Sequence, residues 1–145
     1  MTGAPGLADF AGDWRLDRQI ADRRGPGGRF KGVARFIPAA GGLIYREEGL
    51  LRIGDAAPMR AVRGYLWRAE AGRIVVEHAD GAAFHAFDPA RPEAVHDCPP
   101  DRYHVAYDFS VWPDWRATWT VSGPAKDYRM VSRYCRPDRP AGPDG

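Results

Sequence analysis

The stretch Arg73-Ile74-Val75-Val76-Glu77-His78-Ala79-Asp80-Gly81-Ala82-Ala83-Phe84-His85-Ala86-Phe87 decides the fold. Two β-favouring runs, Arg73 to His78 and Ala82 to Phe87, flank Asp80-Gly81. An Asp-Gly pair in that setting is a strong hairpin signal, because both residues tolerate φ > 0. The two runs are therefore antiparallel neighbours. The same rhythm continues in both directions: period-2 runs bounded by Gly, Pro or Asp recur about every ten residues from Gly12 to Cys135, and helical periodicity is almost absent.

Read outward from the hairpin, these runs predict strands over Asp13 to Ile20, Arg29 to Ile37, Leu43 to Leu51, Arg60 to Ala69, Arg73 to His78, Ala82 to Phe87, Ala94 to Cys98, Arg102 to Phe109, Arg116 to Val121 and Asp127 to Cys135. One helical turn is expected around Leu7 to Ala11. Gly41-Gly42 and Glu70-Ala71-Gly72 close further hairpins, Gly72 being free to adopt a left-handed conformation. The chain is thus all-β, an antiparallel meander. A flat meander would expose its edges and one apolar face to water, so closure into a barrel of about eight to ten strands, or folding into two packed sheets, is expected. Tyr103, Val105, Tyr107 and Phe109 share the inner side of their strand, with His104 and Asp108 outside. Trp119 and Val121, and Tyr128, Met130 and Tyr134, follow the same alternation. Buried Trp and Tyr need partners for their N–H and O–H groups, which suits a barrel around a cavity better than a dry sandwich.

The 145 residues, 44% hydrophobic with net charge +2, describe one domain, taken as 1–136. The Pro-, Gly- and Asp-rich segment 137–145 is expected to be a disordered tail. Of the 21 basic residues only Lys31 and Lys126 are lysine, and the arginines are interspersed with 19 acidic residues rather than gathered into a stripe. That distribution argues against a nucleic-acid partner. No run approaches the length of a membrane span, and Met1 to Phe10 lacks the basic and apolar regions of a secretory signal, so no membrane partner and a cytoplasmic location are expected. Cys98 and Cys135 are too few for a disulfide framework and read as reduced thiols in or near the core.

Gly12-Asp13-Trp14 resembles the Gly-x-Trp motif that begins the barrel in lipocalins and the wider calycin superfamily. The resemblance implies that Trp14 plugs the barrel base beneath a basic residue of the last strand, here Arg133 or Arg136. Nearly the whole chain is also similar to a family of small bacterial and fungal proteins known as a domain of unknown function. The similarity is carried by Tyr45-Arg46-Glu47-Glu48-Gly49, Arg63-Gly64-Tyr65-Leu66-Trp67, Asp80-Gly81 with Phe84-His85, the run from His96 through Cys98 and Asp101 to Tyr103 and Tyr107, and Gly123-Pro124-Ala125-Lys126-Asp127-Tyr128. It implies a calycin-like barrel and brings no activity with it.

The Asp80-Gly81 hairpin is expected to pair His78 with Ala83 and Val76 with His85, leaving the two histidines as diagonal neighbours. An even loop at Gly72 puts Arg63, Tyr65 and Trp67 on the same face; a three-residue loop puts them on the other. The even loop is the cleaner amphipathic solution, since it sends Arg60, Arg68, Arg73 and Glu77 outward. Arg63 with Tyr65 then suits a carboxylate or phosphate head group, similar to the Arg-x-Tyr clamp of intracellular lipid-binding calycins. The competing reading is that Arg63 pairs with Glu47 or Asp80 and holds nothing. His78 and His85 with Glu47 or His96 could ligate a metal, yet the spacing matches no zinc module, so no metal is expected. No cofactor is expected either, haem held by one His being the exception that some calycins imply. His96 and Cys98 share a side of their strand and could form a nucleophile pair, against an inert buried thiol. Lys126 either closes the mouth over an anion or pairs with Asp127 or Asp101, and Asp101 with Tyr103 and Tyr107 forms a second polar cluster.

The expectation is an intracellular small-molecule-binding barrel, monomeric or homodimeric, for a largely apolar ligand with an acidic head group. Its ligand-binding candidates are Arg63, Tyr65, Trp67, His78, His85, His96, Tyr103, Tyr107, Trp119 and Lys126. The alternatives are an enzyme with His85 or His96 as general acid or base and Tyr103 or Tyr107 donating to an oxyanion, a haem-binding barrel, and a structural or partner-binding barrel with a filled lumen.

Overall fold

In the computed structural model, which describes residues 3–138, the alternating runs form ten antiparallel strands. They are β1 (Gly12–Asp22), β2 (Gly28–Ala39), β3 (Gly42–Ile53), β4 (Met59–Glu70), β5 (Arg73–His78), β6 (Ala83–Phe87), β7 (Glu93–Cys98), β8 (Asp101–Val111), β9 (Asp114–Ser122) and β10 (Asp127–Cys135). Residues 139–145, most of the expected tail, lie outside the described residues. Most strands run one to two residues beyond the sequence expectation because hairpin ladders continue to the turn.

The strand order is β6-β5-β4-β3-β2-β1-β10-β9-β8-β7, a meander whose first and last strands also pair. The sheet curls into a nearly closed, calycin-like barrel in which β6 and β7 meet across a seam without ladder bonds. Side chains bridge that seam: the Phe84 and His96 rings lie 5.4 Å apart, edge to face. Outside, the interspersed charges become cross-strand pairs such as Arg29–Asp17 and Arg68–Glu77. These exposed pairs contribute little stability and keep the outer face solvated.

One end of the lumen is filled. The 3-10 helix Leu7–Phe10 folds across it, and Phe10 packs within about 5.7 Å of Phe36, Trp67, Phe109, Trp112 and Trp115. Trp14 is fully buried and donates its indole N–H to the Phe10 carbonyl at 2.8 Å. Of the two basic residues expected over this plug, Arg136 takes the place: its guanidinium carbon lies 3.7 Å from the Trp14 ring centroid. It also donates to the carbonyls of Asp9, Ala11 and Asp13. Gly12, at φ +108°, turns the chain into β1 where a Cβ would meet Arg136 Nη1 at 3.0 Å.

The even loop is present. Glu70 pairs with Arg73 across Ala71-Gly72, both at positive φ, so Tyr65 faces His78 and Trp67 faces Val76. The next hairpin departs from the expected register. Val76 pairs with His85 as expected, but Glu77, not His78, is opposite Ala83. Phe84 is the extra residue, and the bulge turns its ring inward beside His85.

Candidate functional site

At the end of the barrel opposite the Trp14 plug, the lumen widens into a cavity of about 320 Å³. Its wall takes Arg63 and Tyr65 from β4, His78 from β5, Phe84 from β6, His96 and Cys98 from β7, Tyr103 from β8, Trp119 from β9, and Tyr128 and Met130 from β10. Each arrives by the period-2 alternation of its strand except Phe84, which the bulge supplies. The aromatic members stack through Phe84: its ring is 4.5 Å from His78, 5.2 Å from Trp119 and 5.6 Å from Tyr65, all at shallow interplanar angles. A volume of this size lies in the lower part of the range of about 300–1,000 Å³ usual for small-molecule sites.

Beneath it lies a chamber of about 30 Å³, and Arg63, Tyr65, Phe84 and Trp119 border both spaces. Trp67, His85, Tyr107 and Trp115 close the lower walls. His85 Nε2 and the Tyr107 hydroxyl are hydrogen-bonded at 2.8 Å. Burial, followed by the charges of His96 and His78, lowers the His85 pKa to about 3, so the imidazole is neutral at physiological pH. The uncharged imidazole forms part of the chamber wall. Burial likewise pushes the Tyr107 phenol well above its ordinary value.

The chamber floor is a buried polar network. Arg18 donates from Nη1 and Nη2 to the two Glu47 carboxylate oxygens at 2.6 and 2.9 Å, and from Nε to Ser132 at 2.7 Å. Tyr45 donates to Glu47 Oε1 at 2.6 Å and so accepts from the Tyr134 hydroxyl at 2.9 Å. Burial pushes the Glu47 carboxyl up, but the Arg18 fork and the Tyr45 hydroxyl outweigh it and hold the group below its ordinary value. For Tyr134, burial dominates and raises the phenol to about 12. The lumen therefore contains a matched ion pair whose hydrogen-bonding capacity is met locally.

Residues 10–136 match the Family of unknown function (DUF6314). The chain belongs to that family. No curated protein matches it. Among solved structures, this DUF6314 chain is similar to an S-type phycobiliprotein lyase from Guillardia theta, at a TM-score of 0.63 and 8% identity over 92% of each chain. At that identity the likeness is one of fold, and the fold shared is the lipocalin-like barrel.

Within the DUF6314 barrel the ten candidates from the sequence divide between the two spaces. Arg63, Tyr65, His78, His96, Tyr103 and Trp119 border the mouth cavity; Trp67, His85 and Tyr107 border the chamber. Lys126 borders neither. It pairs with Asp101 at 3.1 Å and donates to the Tyr103 hydroxyl at 3.3 Å, standing behind the cavity wall. The expected cluster of Asp101 with Tyr103 and Tyr107 is thereby split, since Tyr107 bonds His85 instead.

Three further expectations are corrected. Arg63 is an exposed rim residue, whereas the interior guanidinium is Arg18. Glu47 is the cross-strand partner of Arg63, but Arg18 and Tyr45 occupy its carboxylate. Cys98 is exposed at the mouth rather than buried, on the same wall as His96. Neither cysteine is in a disulfide. Among the described residues no group of three or more His, Cys, Asp or Glu is placed to hold a metal ion, and no helix is long and apolar enough to cross a membrane.

Sequence reasoning missed Arg18, Ser132 and Trp115, and it gave no site role to Tyr45, Phe84 or Tyr134, although Tyr134 was on the expected inward face. Arg18 had a signal: it falls in phase with Trp14 and Leu16, a charge on the inward side of an apolar alternation. Trp115 was lost because β9 was expected to begin at Arg116.

Proposed function

We propose that this protein is an intracellular small-molecule-binding barrel whose ligand is largely apolar and carries an acidic group. The observation that carries the reading is the aromatic mouth cavity of about 320 Å³ with Arg63 on its wall. Two arginines reach the lumen. Arg18 is neutralised by Glu47, which leaves Arg63 in no ion pair among the described residues, beside the Tyr65 hydroxyl. A carboxylate at the rim would complete the Arg63 fork while its apolar body lies against Phe84, Trp119 and Tyr65.

The test begins with native mass spectrometry and an absorbance spectrum of freshly purified protein, then a titration with octanoate followed by tryptophan fluorescence. A co-purifying acid, and octanoate binding weakened about fivefold by Arg63→Ala, are expected; the effect is near 1 kcal/mol because the guanidinium is solvent-exposed. Equal octanoate affinity in the two proteins removes the acid reading. A Soret band would put haem in its place.

A further inference from the structure

Two buried polar atoms of the lumen have no hydrogen-bond partner, His85 Nδ1 and Trp115 Nε1. Both side chains are at least nine-tenths buried and both line the 30 Å³ chamber. An unpaired buried donor or acceptor costs about 1–3 kcal/mol, and a polar group taken up between these two side chains would recover that cost once their rings turn to meet it. The space admits little: a water-sized group needs about 10–15 Å³ by this measure.

Chemistry narrows what that group is. The indole N–H of Trp115 only donates, so its partner must accept. His85 Nδ1 donates or accepts according to which way the proton lies in the Nε2–Tyr107 bond. A hydroxyl oxygen meets both cases, accepting twice or accepting once and donating once, whereas a carbonyl meets only one. Arg18 and Glu47 saturate each other on the chamber wall, so the cation left for an acidic group is Arg63, at the junction with the mouth cavity, and a group held deeper in the chamber is best neutral.

We propose that the chamber is a second, neutral subsite that binds the hydroxyl end of a ligand whose acidic end lies at Arg63, so that the ligand class is a hydroxy acid carrying its two polar groups at opposite ends of an apolar body. This rests on the mouth-cavity reading above. The route between the two spaces passes Phe84, which borders both. Phe84 sits on the bulge of β6, an edge strand beside the seam, where a ring can turn aside without breaking a central ladder.

The experiment uses the full chain, ¹⁵N-labelled, with 1-octanol, octanoate and 8-hydroxyoctanoate as probes. The readouts are the Trp115 indole N–H and His85 ring-nitrogen resonances together with affinity. Both alcohols are expected to shift the two resonances saturably, octanoate to leave them in place, and 8-hydroxyoctanoate to bind about tenfold more tightly than octanoate. Trp115→Phe abolishes that preference; His85→Phe does so independently should the first variant not fold. Equal affinities for the two acids, or resonances unmoved by either alcohol, overturn the proposal. So does a bound water on these atoms that no alcohol displaces, which makes the chamber a hydration site. A response to 1-octanol without octanoate binding upholds the chamber and removes the acid at Arg63, so the two readings fail separately.

Discussion

Glu47 and Arg63 are directly opposite each other on β3 and β4, yet the Glu47 carboxylate reaches over β2 to Arg18 on β1. The bidentate fork and the Tyr45 hydroxyl satisfy it in a buried setting, where a lone carboxylate could not stay charged. This choice of partner gives the barrel both a neutral floor and a rim cation.

Glu47→Gln is therefore expected to destabilise the fold by about 3–5 kcal/mol, because it leaves the Arg18 charge buried without its anion. Replacing both, Arg18→Met with Glu47→Met, should cost far less, since the desolvation penalty goes with the charges. Urea midpoints of wild type and the two variants check this. A single variant no worse than the double would mean that the pair is not what anchors the chamber floor.

The fold was legible because its signals are local. Asp80-Gly81 and Ala71-Gly72 fix hairpins within a few residues, and the inward phase of Tyr103, Val105 and Tyr107 holds along one strand. The cavity-lining residues were legible for the same reason, as they share that phase. What was not legible depends on one-residue events or on the register of several strands at once. The bulge at Phe84 shifts the register between Val76 and Glu77, and nothing in Ala82-Ala83-Phe84-His85 marks which residue is extra. Arg18 and Glu47 are 29 residues apart and meet over the intervening strand β2, so the identity of the paired arginine depends on the register of three strands together.

His85 gives the stability a pH signature. Its folded pKa, about 3, lies below the ordinary 6.5, so the unfolded chain binds the proton more tightly and stability falls as pH drops through this interval. The loss begins near pH 6.5, above the ordinary carboxylate range, and approaches about 1.4 kcal/mol per pH unit once the unfolded imidazole is charged. Glu47 acts in the same direction at lower pH: its folded pKa is depressed, so its contribution is present above the ordinary 4.5 and lost below it. His85→Gln should flatten the stability curve between pH 6 and 4.5 and leave the acid limb. An unaltered curve would show that the imidazole is not the group responsible.

Ala71 occupies a left-handed conformation, φ +51°, in a two-residue turn with Gly72 at φ +79°. Such turns favour Asn-Gly because Asn tolerates positive φ better than Ala does. Ala71→Asn is expected to stabilise by about 0.5–1 kcal/mol, read as a raised Tm with no change in octanoate affinity, since this turn lies at the plugged end. A lowered Tm would argue against this turn geometry.

Arg136 closes the plugged end, and its two roles separate by substitution. The guanidinium lies on the Trp14 face and bonds three carbonyls of the segment that enters β1. Lys keeps the charge but loses the planar fork, so Arg136→Lys should retain the cation–π part, about 0.5–2 kcal/mol, and lose the rest. Arg136→Ala loses both and leaves three carbonyls to water. The expected order of stability is wild type, then Lys, then Ala, with amide exchange of Asp9 and Ala11 rising in parallel as the helical turn loosens. Equal stability of the Lys variant and wild type would assign the contact to charge alone, and equal stability of all three would remove Arg136 from the closure.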